Sequence, residues 1–498
     1  PGFAEALRPT LAALPRSASG KLSAAGVRYS LHRMFARERG WHVAGLDPRG
    51  EAWNSTAWPP IAALDRAPAE ARSRVERAIS EEGLSEEEVA ALAATIEHFI
   101  HADAAERLEA AFNVLGHPRD APVSAQQAQR ALELTLGSYM QGVDLRNASS
   151  HTALVMPSRM QAVYPNWPAV VKMIAGLSTE SESKAAAAPQ RSGGTGAVST
   201  VGRLTDTFGP WQDSECTAMK GRLLQMEEDG TGRVRLADFH GHALDGNWQF
   251  GESTEYLRQL GALDETPRPG GPRVVIPNYI ASLNNCILDS AYYSVCCISE
   301  CEALMRPLER HLAAPEALPR RIVELVERLP SSTVDAPRRL PAALIQRLEG
   351  IAQHHGGRVP IHGRLFAQWM HHAYPRECPY PHLSGRVKLQ KGSEWERQTG
   401  IKHLASKSRM QMYIDQCKVG EDRSNSTDDA AINAARMHWS SDEELALRPP
   451  EQTVLQQLQS AGHGLTVVSA AASLAAAVWH VSGVRTKALG QASQEVAL

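Results

Sequence analysis

Apolar residues recur at helical spacing through most of the chain. From Leu84, "LSEEEVAALAATIEHFI" repeats them three and four apart as far as Ile100, and Ser85 followed by Glu88 forms a capping box at its start. "AAERLEAAFNVLG" and "SAQQAQRALELTLGSYM" continue the pattern, so residues 76–177 read as a helical domain. Amphipathic stretches return at 302–313, 319–329 and 340–353, inside a second helical domain at 205–400. Between the two, 178–204 has no apolar periodicity and is rich in Ser, Gly, Ala and Thr, the composition of a flexible linker. Residues 1–75 read as a loosely packed N-terminal arm and 401–460 as a polar tether.

One run breaks this pattern. "GLTVVSAAASLAAAVWHVSGV", 464–484, carries no charged residue and is followed by Arg485 and Lys487. At 1.5 Å rise per residue it is long enough to span a hydrocarbon core, which predicts a single transmembrane helix over 461–485 and a short tail over 486–498. The flanking positive charges place the tail in the cytosol or stroma and the N-terminal bulk in a lumen or outside the cell. Its Ala, Gly and Ser content suits packing against other membrane subunits. His480 inside it is a candidate ligand for a haem or a chlorophyll.

Composition adds limits. A chain of 498 residues holds several domains, and a net charge of -3 offers no polycation to a nucleic acid. Five of the seven cysteines lie between 286 and 378, which fits disulfides in an oxidising compartment or thiols on a metal. Cys296 and Cys297 are adjacent and therefore expect different partners; disulfides from this cluster to Cys286 and Cys378 would pin its helix to the "HHAYPRECPYPH" segment, 371–382. Sequons at Asn54, Asn147 and Asn425 point the same way as the disulfides.

The most specific motif is "MEEDGTGRVRLADF". With Val234 as the central apolar residue of a twelve-residue calcium loop, Glu227, Asp229, Thr231, Arg233 and Asp238 fall on ligand positions, and Gly232 on the sharp bend. This segment resembles an EF-hand. It departs from that family with Glu at the first ligand position and Asp at the last, which implies a weak or vestigial calcium site. EF-hands work in pairs, and "YLRQLGALDETPRPGGPRVVIPNYIASL" has the rhythm of a degenerate partner, with a β-like piece at Val274–Ile276. "LEAAFNVLGHPRDAPVSAQQAQRAL" has it too, with Gln127 in the last-ligand place.

The expected fold is thus mainly α, with EF-hand-like helical domains and a C-terminal transmembrane helix. "NYIASLNNC", "YYSVCC" and "HAYPRECPYPH" together are similar to proteins of dinoflagellates and related algae, a resemblance that implies no activity. The expected function is a membrane-anchored, EF-hand-like scaffold or accessory subunit, with a photosystem or antenna complex as the setting that the algal likeness suggests. Two alternatives stand beside it. One is a metal-dependent oxidoreductase using His371 or His372, Cys378 and His382, with His362 added; the other is a calcium sensor. The prolines at 375, 379 and 381 also allow a plainer reading of 371–382, as a rigid corner locked by a disulfide.

Overall fold

Ser85 and Ser124 each start a helix by the same device. The hydroxyl accepts from the backbone N–H three residues on, and Glu88 or Gln127 reaches back to the N-cap N–H. The computed structural model describes residues 2–46, 60–117, 123–186, 194–228, 230–246, 249–287, 290–387, 390–421 and 439–445.

The N-terminal unit is built from α1 (Phe3–Ala12), α2 (Ala24–Arg39), β1 (Trp41–Val43), α3 (Ala69–Arg77), α4 (Glu86–Val114), α5 (Ala125–Gln141), α6 (Ser150–Val163) and α7 (Trp167–Ala186). The expected loose arm is in fact core. Leu7, Leu11, Leu31, Phe35 and Trp41 are fully buried against Ile96, Ile100 and Phe208. The two helices expected from 84 to 116 are one, because "HAD" at 101–103 contains no breaker.

The helix α8 (Gly194–Gln225) leaves this unit and enters the next, burying Leu204 and Phe208 in the first core and Cys216, Met219 and Leu223 in another. Helix therefore occupies 178–186 and 194–204 of the expected linker. It crosses α2 so closely that a Cβ on Gly209 would lie 1.8 Å from the Arg39 carbonyl oxygen.

Two lobes follow, each a pair of helix-loop-helix units joined by a short antiparallel ladder. In the first, α8 and α9 (Leu236–Leu244) flank β2 (Arg233–Arg235), while α10 (Thr254–Gln259) and α11 (Ile276–Ile280) flank β3 (Leu263–Asp264) and β4 (Arg273–Val275). Val234 pairs with Val274, and β3 adds to the far side of β4. After β5 (Tyr293–Val295), which pairs with β1, the second lobe has α12 (Glu300–Leu312), β6 (Glu316–Ala317) and α13 (Pro319–Val326). It continues with α14 (Ala342–His354), β7 (Val359–Pro360) and α15 (Arg364–Ala373), and Ala317 pairs with Val359. Each lobe has its own core, around Phe239, Phe250 and Tyr279 in the first and around Leu348, Phe366 and Trp369 in the second. The helices α16 (Gly392–Thr399) and α17 (Lys407–Glu421) return over the first lobe, and 439–445 lies along the start of α15, so part of the expected tether is packed.

The expected transmembrane class is corrected. No described helix is long and apolar enough to cross a membrane, and the longest ones, α4 and α8, carry charged residues along their length. The single-pass membrane placement and its topology are corrected with it. The segment 464–484, His480 included, lies outside the described residues.

Candidate functional site

The loop at 227–238 has the backbone that its sequence demands. Gly230 and Gly232 sit at φ +73° and +70°, and Val234 is fully buried at the centre of the ladder. Its carboxylates, however, face internal cations. The Glu227 side chain is 2% exposed; one oxygen accepts from the Gly232 N–H and the other from Arg376 Nε at 2.7 Å. Arg376 Nη2 lies 2.5 Å from the same oxygen. Asp238 turns to Arg235 at 2.7 Å and Glu228 to Arg273 at 2.9 Å. Thr231 spends its hydroxyl on the Glu228 carbonyl, and Arg233 reaches Asp264 at 2.8 Å. Asp229 lies outside the described residues.

Of the four expected ligands that are described, none is left for an ion: Glu227 is bound to a guanidinium, Thr231 to a loop carbonyl, and Arg233 and Asp238 to ion-pair partners. Calcium needs about six to eight oxygens around one centre. The described residues do not fit that ion. Arg376 lies 149 residues from Glu227, so no local spacing announces it. The remaining loops are poorer still: Asp264 is held by Arg233, and Glu316 by Arg358.

The segment 371–382 is what delivers Arg376. Pro375 rests its carbonyl on Gly232, where a Cβ would stand 1.9 Å away. Asn278 and Tyr380 exchange two hydrogen bonds, Asn278 Nδ2 donating to the Tyr380 carbonyl at 2.9 Å and the Tyr380 N–H to Asn278 Oδ1 at 2.7 Å. His382 Nε2 donates to the Gly261 carbonyl, and His371 Nδ1 to the Cys378 carbonyl, both at 2.7 Å. Burial pushes the fully enclosed His371 ring well below its usual pKa, and the nearby Arg233 adds to this. Cys378 is bonded to Cys301. The histidines and the cysteine thus face separate partners instead of one centre. Among the described residues, the only three metal-ligating groups that converge are Glu97, His101 and Asp206, and Arg39 already pairs with both carboxylates.

The disulfides Cys216–Cys297, Cys286–Cys296 and Cys301–Cys378 join α8 to the segment before α12, and α12 to this clasp. The two neighbours Cys296 and Cys297 do take different partners.

Where the clasp, α2, α12 and α15 meet, they line a partly open cavity of about 400 Å3. Leu260, Met305, Phe366 and Met370 give it apolar walls. On one side lies a buried polar network. Arg33 binds Glu302 at 2.6 Å and also Glu309, whose other oxygen accepts from Thr10 at 2.9 Å. The Tyr29 hydroxyl meets His362 Nδ1 at 3.0 Å, while His362 Nε2 makes no hydrogen bond and lies 3.5 Å from Glu309. Burial, helped by Arg33, brings the His362 ring down to about 3, and burial raises the Tyr29 hydroxyl, so both are neutral at pH 7. Of the cavity residues, the sequence had pointed to His362, Pro379, Tyr380, Pro381, His382 and the cysteines, as parts of other sites. The apolar wall comes from the end of α10, from α12 and from α15, and leaves no linear trace.

The chain matches no family model, no curated protein and no solved structure.

Proposed function

We propose that the chain is a calcium-independent binding protein, in which two EF-hand-type lobes and a helical unit are locked together around a cavity for a small organic ligand. The observation that carries this reading is the cavity itself. Its volume is within the range of about 300–1,000 Å3 usual for small-molecule sites, and its apolar walls with a few enclosed polar groups match their chemistry. The cations at the loop carboxylates remove the electrostatic demand for an ion, so the lobes serve as a fixed frame. Three disulfides suit an oxidising compartment. The sensor alternative loses its support with Arg376, and the oxidoreductase alternative with the dispersal of its ligands.

Nile red, a neutral dye that brightens in apolar surroundings, tests the reading. One saturable site is expected, and Ala367→Phe, which places a ring in the cavity, abolishes it. Absence of saturable binding in the folded protein, or equal binding to this variant, would refute the proposal.

A further inference from the structure

The turn between α5 and α6 serves the fold on one side only. Asp144 opens it by accepting from the Arg146 N–H at 3.1 Å, and Leu145 is buried in the core of the N-terminal unit. Arg146 and Asn147, next in the chain, are exposed. Arg146 is held on Asp144 through Nε at 2.9 Å, whereas Asn147 Nδ2 reaches the same carboxylate only at 3.3 Å, beyond the usual length of an N–H···O bond. Ser149, the N-cap residue of α6, is exposed too, and its hydroxyl makes no capping bond. Neither packing nor capping explains Asn147 and Ser149. With Ala148 between them they form an Asn-x-Ser sequon on a surface turn, where a bulky sugar has room. Of the other two sequon asparagines, Asn54 and Asn425, both lie outside the described residues.

We infer that Asn147 is a site of N-linked glycosylation. The three disulfides suit the same oxidising compartment in which such sugars are transferred. The donor is an oligosaccharyl diphosphate carried on a polyisoprenoid lipid. Asn147 Nδ2 forms a bond to the anomeric carbon, the bond from that carbon to the diphosphate oxygen breaks, the diphosphate leaves with the electron pair, and the amide gives up one proton. No oxidation or reduction is involved. The glycosylated amide keeps its second N–H, so the contact with Asp144 can persist. Residues 144–149 do not line the cavity, so the modification stands apart from the binding function proposed above.

The full chain, secreted from a eukaryotic cell behind a cleavable signal, tests the inference. Peptide N-glycosidase, which leaves an aspartate where a glycan stood, is expected to lower the mass of the wild type, and peptide mass spectrometry to find that mark at position 147. Asn147→Gln and Ser149→Ala lose the mark, while Ser149→Thr, which keeps the hydroxyl of the sequon, retains it. Ser149→Ala removes no hydrogen bond of the fold and serves if the glutamine variant is not secreted. An unmodified Asn147 in the secreted wild type, glycans confined to Asn54 or Asn425, or a glycan at Asn147 that survives Ser149→Ala overturns the assignment.

Discussion

Arg376 and Gly232 show how two single residues fix the state of the loop. Without Arg376, the nearly buried Glu227 carboxylate keeps its desolvation but loses its cation. Arg376→Gln should therefore destabilise the fold by about 3 kcal/mol, measured by urea unfolding. Calcium at millimolar concentration should recover part of that loss in the variant and leave the wild-type midpoint unchanged. A wild-type midpoint that rises with calcium would contradict the role given to Arg376. Gly232→Ala meets both a positive φ and the Pro375 carbonyl, so it should cost more than 2 kcal/mol on the order-of-magnitude scale for strained or overpacked sites. Of these residues, Glu227 and Gly232 were legible in the sequence because a loop's own spacing identifies them. Arg376 was not, since the contact depends on the long-range fold.

At the scale of elements, the helices were legible where caps and periodicity coincide, as at Ser85 and Glu88. The first lobe's ladder was anticipated at Val274–Ile276 and observed at Arg273–Val275. The second lobe's helix-loop-helix pair was not recognised, because its ladder is two residues long on each side and its loops have almost no carboxylates. The elements also set the acid response. His362 is held neutral down to about pH 3, whereas an unfolded histidine takes up a proton near 6.5. The unfolded chain thus binds the extra proton first, so stability is complete above about 6.5 and falls as pH drops towards 3. His240 and His371 shift in the same direction. His362→Gln should flatten the fall between pH 6 and 4 by up to about 1.4 kcal/mol per pH unit, read from unfolding midpoints. An unchanged slope would remove His362 from the account. Asp264 acts lower: burial raises its carboxyl, but Thr266 and Arg233 outweigh that and bring it to about 2, so its contribution is lost only as pH falls from about 4 to 2.

At the scale of the whole molecule, the clasp decides how the parts fit. It joins the second lobe to the first through Pro375, Arg376, Asn278, Tyr380 and His382, and to α12 through Cys301–Cys378. The double variant Cys301→Ser/Cys378→Ser should lose about 2–4 kcal/mol and bind the cavity probe more weakly, because the cavity wall at Tyr380 to Val387 follows directly from the clasp. The sequence announced the clustering of the cysteines and bonds from that cluster to Cys286 and Cys378, but not the bond of Cys297 to Cys216, and it announced a membrane anchor that no described helix supports. The cavity was not legible either, since it is lined by residues far apart in the sequence, from α2, α12, α15 and the clasp.

The most direct test of the account is a Nile red titration of the full chain, wild type and Ala367→Phe, in calcium chelator and again in millimolar calcium. The account predicts one saturable site in the wild type, the same affinity with and without calcium, and no site in the variant. Affinity that depends on calcium, or a variant that binds as the wild type does, would contradict it.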